Sequence, residues 1–130
     1  MSVKNPWLEA IVKLAFLTQD GKLTWSVQDP PPSFAKRPNS RVEMVFESRY
    51  GDKNLRLYEG SFKDEPGDVV YELSPFQTAE WRRRVVLEFV DSNGNSLWAF
   101  PDVGALDDLL AAVQYRVSGV KEFLSELLAS

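Results

Sequence analysis

Two stretches of this 130-residue chain share one grammar, and together they dictate an antiparallel sheet. In "RVEMVFESRYGDKNLRLYEG", Val42, Met44 and Phe46 alternate with Glu43 and Glu47. The chain then turns through Gly51-Asp52-Lys53-Asn54 and returns through Leu55 and Leu57. In "RRRVVLEFVDSNGNSLWAFP", Val85, Leu87 and Phe89 share a face, a turn runs through residues 91–95, and Leu97, Trp98 and Phe100 lead back. Successive side chains on a strand point to opposite faces, so such alternation about a glycine-bearing turn reads as a β-hairpin. "KLTWSV" and Val69 to Leu73 add two short expected strands.

Helices flank this region. In "NPWLEAIVKLAFLTQDG", Asn5 caps, Pro6 suits the first helical position and Gly21 ends the helix. Glu9 and Lys13 make an i,i+4 pair on the polar face, and Phe16 falls on that same face at 100° per residue. An aromatic there is expected either under a neighbouring loop or in a subunit or partner contact. Near the C-terminus, Leu106, Leu109, Leu110, Val113 and Val117 form one stripe, with Asp102 as the expected cap and Gly119 as a break. "VKEFLSELLAS" continues with Val120, Phe123, Leu124, Leu127 and Leu128, as one kinked helix or as a second one.

"QDPPPSFAKRPNS" carries four prolines in 13 residues and reads as a rigid loop without helix or central strand. It has no PxxP spacing and no PPxY tyrosine, so a polyproline-ligand role is not supported. The expected architecture is a single α+β domain over residues 1–130. It consists of an antiparallel β-meander of four to six strands, with two main hairpins, an N-terminal helix and a C-terminal helical segment.

Composition narrows the chemistry. The chain has no histidine and no cysteine, which removes Ser-His and Cys-His triads, thiolate sites and the commonest zinc ligands. The seven glycines are never closer than seven residues to one another, so neither GxGxxG nor GxxxxGK[ST] occurs. "DSNGNS" resembles the start of a calcium loop, but its glycine stands fourth rather than sixth and Asp102 holds the twelfth position. It reads as a hairpin turn. Glu43 and Glu47 lie about 13 Å apart at strand rise, beyond the roughly 5–9.5 Å of a glycosidase pair. No enzyme, cofactor or metal is therefore expected. Missing cysteines and a terminus without a basic, apolar leader fit a cytoplasmic protein, and no apolar run reaches membrane length.

Charge is divided unevenly. Residues 1–63 hold ten Lys/Arg against seven Asp/Glu, and residues 64–130 hold five against twelve, for a net charge of −4. An acidic second half disfavours duplex DNA as a partner, since affinity there comes from neutralising phosphates. Two functions remain as expectations. The first is a non-catalytic interaction module, an adaptor, inhibitor or subunit that binds a protein partner or forms a homodimer. It would use aromatics whose phase leaves them outside: Phe16, Trp25, Tyr58, Trp98 and Tyr115. The alternative is a single-stranded nucleic-acid binder using Trp81, Arg82, Arg84, Arg49 and Arg56, a basic track with stacking rings. Strand alternation weakens the alternative, because it sends Arg83 to the apolar face and Arg82 and Arg84 to the other. The arginine run is then a strand entry, paired with Glu72, Glu80 or Glu88.

Overall fold

The computed structural model describes residues 5–37, 40–63 and 81–130. Helix α1 spans Pro6–Gln19, and the Asn5 Oδ1 accepts from the backbone N–H groups of Trp7 and Leu8, 3.1 and 3.3 Å away. Those donors have no partner inside the helix, which is why asparagine stabilises this position. Gly21, at φ +73°, reverses the chain after the helix, a conformation that costs glycine least.

Five antiparallel strands follow as a meander in sequence order: β1 Ser26–Gln28, β2 Ser40–Tyr50, β3 Lys53–Lys63, β4 Trp81–Val90 and β5 Ser96–Ala99. The first hairpin closes more tightly than the sequence suggested. Tyr50 pairs with Lys53, leaving a two-residue turn of Gly51 and Asp52. Positive φ at Gly51 (+60°) supplies the backbone twist that such a turn requires. The expected strand at Val69 to Leu73, and the Glu72 and Glu80 pairings, lie outside the described residues.

A register shift between Val42 and Val45 corrects the expected alternation on β2. One extra residue at this bulge moves Val42 to the face opposite Phe46 and leaves Met44 exposed. The sheet consequently has apolar residues on both faces. On the inner face Phe46, Leu55, Leu57, Val85 and Leu87 pack with Ile11 and Ala15 of α1. On the outer face Val45, Tyr58 and Val86 form a second cluster, with Val42 and Phe62 beside it.

Phe34 covers that second cluster, and it comes from the proline-rich segment. Contrary to expectation, that segment contains a helical turn, α2, spanning Pro32–Ala35. Pro32 sits in the first turn, where its missing N–H would have had no partner, so proline starts the turn rather than preventing it.

Helix α3, Ala105–Val117, lies against α1 and the inner face, burying Leu106, Leu109, Leu110 and Val113. Asp102 does not cap it. Gly104 holds the cap position without a side-chain bond, while Asp102 lies 3.9 Å from the Arg84 Nε. The C-terminal segment is two helices, because Gly119, at φ +74°, separates α3 from α4, Val120–Ala129. Among the described residues no helix is long and apolar enough to cross a membrane.

Candidate interaction surface

The five aromatics expected outside divide into three exposed and two buried. Phe16 is 58% exposed, and Trp98 and Tyr115 are also open to solvent. Trp25 and Tyr58 are corrections. Trp25 is buried in the inner core, with its Nε1 donating to the Thr18 Oγ1 at 3.0 Å. Thr18 in turn donates to the Leu14 carbonyl at 2.8 Å, so both polar groups are satisfied inside the core. Tyr58 is buried under Phe34, ring centroids 5.2 Å apart. Burial, reinforced by the Glu88 carboxylate, raises its phenol above the usual tyrosine value.

Phe16 is not the isolated aromatic the sequence suggested. Leu8, Val12 and Phe16 follow one another at i,i+4 along α1, and all three are exposed. This stripe borders a groove between α1 and α3 of about 600 Å³. Val12, Ala15 and Phe16 line one wall; Ala111, Ala112 and Tyr115 line the other. Alanines on α3 leave the space that larger side chains would have filled. Here Phe16 and Tyr115 come together, whereas Trp98 lies elsewhere. Trp98 stacks with Trp7 at 4.7 Å and meets Phe100 edge-on, joining the start of α1 to β5.

Helix α4 carries an apolar stripe of its own. Val120, Phe123, Leu124, Leu127 and Leu128 form one stripe, and none of the residues of α4 is buried. A ten-residue helix gains little stability from its own hydrogen bonds, so the exposure of this stripe leaves α4 with little burial to hold it.

The basic residues of the alternative reading do not make one track. Trp81 is on the inner face beneath the Arg41 guanidinium, 4.0 Å from its ring centroid. Arg82 and Arg84 face outward, where Arg84 lies 6.0 Å from the Phe62 ring. Arg83, on the apolar face as alternation required, is bound by Glu59 and by Asp107 of α3. Those two carboxylates hold its guanidinium pKa above the ordinary value. Arg49 sits at the opposite end of the sheet, donating to the Gly51 carbonyl, some 30 Å from Trp81 at strand rise.

Arg56 is a further correction, since it is buried rather than available to a ligand. Its Nε and Nη2 reach the Glu88 Oε1 at 2.7 and 2.6 Å, and its Nη1 donates to the Gly94 carbonyl at 2.9 Å. Glu88 was an expected partner for the Arg82–Arg84 run, and it serves Arg56 instead.

At the β4–β5 turn the Asp91 Oδ1 accepts from the backbone of Asn93 and Asn95, each at 2.9 Å. The Asn95 hydrogen bond leads in lowering that carboxyl below the usual range. The aspartate thus closes a turn. Among the described residues there is no group of three or more Asp or Glu placed to hold a metal ion. No family model matches the chain, and no curated protein or solved structure shows significant similarity to it.

Proposed function

We propose that this protein is a non-catalytic interaction module, an adaptor, inhibitor or subunit, that makes its contacts through α1, α3 and α4. One observation carries the reading: the apolar stripes of α1 and α4 and the groove between α1 and α3 are exposed on neighbouring elements. Single exposed leucines are ordinary, but a run of apolar side chains beside a groove marks a binding surface. The sequence supports it from the other side, with no histidine, cysteine or phosphate-binding glycine pattern.

The test is a pull-down of tagged protein from nuclease-treated lysate of the source cells, in parallel with Phe16→Glu. A stoichiometric protein that accompanies the wild type and is lost from the variant is the expected result. Retention by both would remove the surface from consideration. Recovery of nucleic acid in an untreated lysate, with salt-sensitive binding lost on Arg82→Glu and Arg84→Glu, would favour the single-strand reading instead.

A further inference from the structure

We infer that the surface proposed above is completed by a second copy of this chain, with α4 of each protomer seated in the α1–α3 groove of the other. The inference rests on the interaction reading and names its occupant.

Shape comes first. Helix α4 spans ten residues, about 15 Å at 1.5 Å per residue, which matches the length of α3 between Ala105 and Tyr115 that lines the groove. The groove offers small side chains at Ala15, Ala111 and Ala112 and larger ones at Val12, Phe16 and Tyr115. The α4 stripe offers Phe123, Leu124 and Leu127, the large residues that such a floor leaves room for. One surface lacks what the other has in excess.

Connectivity favours exchange over closure within one chain. Only Ser118 and Gly119 join α3 to α4, and the left-handed Gly119 sends α4 away from the groove. Lys121 and Glu122 in its first turn instead border the segment Gly21–Trp25. Reaching the groove of its own molecule would require α4 to abandon that position and reverse along α3. Reaching the groove of a second copy leaves the α3–α4 connection as it stands, with no reversal at Gly119.

Area is sufficient. The uncovered surface of the α4 stripe, with Leu8, Val12, Phe16 and Tyr115, is on the order of 800 Å² per protomer, one side of a standard stable interface. Each protomer gives a helix and a groove, so a two-fold axis closes the assembly and leaves no open end. Charge argues against a membrane as the occupant: α4 carries Lys121 against Glu122 and Glu126, a poor match for anionic lipid.

Sedimentation of the full chain over a range of concentrations is the first test. The wild type is expected at twice the mass of the chain, and Phe123→Glu with Leu127→Glu at the monomer mass. An unchanged circular dichroism spectrum shows that the variant still folds, as the exposure of both side chains requires. The absence of native cysteine makes a second test clean. Ala111→Cys and Leu124→Cys proteins, mixed and oxidised, are expected to form a disulfide-linked heterodimer.

A wild type that stays monomeric overturns the exchange, and so does a dimer unaffected by the α4 substitutions. A crosslink formed only within a single chain that carries both Ala111→Cys and Leu124→Cys shows closure in one molecule and overturns it as well. So does a monomer that co-floats with phosphatidylcholine–phosphatidylserine vesicles. A monomer that still captures a different protein through Phe16 overturns the exchange but leaves the interaction reading standing.

Discussion

Arg56 and Glu88 face each other across β3 and β4 in register, a guanidinium and a carboxylate bonded at 2.7 Å with both side chains almost wholly out of water. The Arg56 Nη1 also holds the Gly94 carbonyl, fastening the β4–β5 turn to the middle strand. Removing one partner leaves the other charged and unpaired, whereas removing both leaves an apolar contact. Glu88→Leu and Arg56→Met are each expected to cost about 3–5 kcal/mol. Arg56→Met combined with Glu88→Leu should cost much less than the two losses added together. Urea denaturation of the four proteins measures the coupling, and strict additivity would show the pair to be incidental.

Trp25 donates to Thr18 inside the core, and that bond links the loop after α1 to the helix itself. Thr18→Val keeps the shape but leaves the indole N–H without an acceptor. A loss of about 1–3 kcal/mol is expected in chemical denaturation. A stability equal to wild type would mean that the indole finds another acceptor.

Phe34 covers the outer cluster and also lies 4.9 Å beneath the Arg56 guanidinium, joining the proline-rich segment to the sheet. Phe34→Ala should destabilise by about 3–5 kcal/mol, the range for a buried aromatic. It should also speed proteolytic cleavage within residues 29–37 relative to the rest of the chain. Uniform protection in limited proteolysis would show that the segment is held by other contacts.

Tyr58 gives the fold an alkaline limit. Its phenol titrates higher when folded than when unfolded, chiefly because burial disfavours the phenolate. The unfolded chain therefore loses its proton first, at about pH 10, and above that pH stability falls until the folded value is passed. Thermal melts from pH 8 to 11 should show a steeper decline in wild type than in Tyr58→Phe. Parallel profiles would place the alkaline transition on other groups.

Helix α1 shows what short-range chemistry made legible. The cap at Asn5, the proline after it and the glycine at its end act within a turn or so of the helix, and all three sit where the sequence put them. The two hairpins and the break at Gly119 were legible for the same reason, since each is written in a few adjacent residues. Helical phase also placed Phe16 on the polar face, but only the packed chain showed it exposed rather than under a neighbouring loop.

The rest needed partners distant in sequence. Arg56 meets Glu88 across 32 residues, and Tyr58 meets Phe34 on a face that alternation assigned to solvent. A one-residue bulge at β2 moved Val42 onto that face, and no local pattern announces such an insertion. By itself the sequence determined the two long hairpins, the N-terminal helix and the C-terminal helical segment, and their order along the chain. Only the tertiary structure decided that each face of the sheet carries a buried cluster, which arginine is buried, and that no residue of α4 is buried. Local propensity depends on neighbours within a few residues, whereas burial depends on which segments share a face once the whole chain has packed.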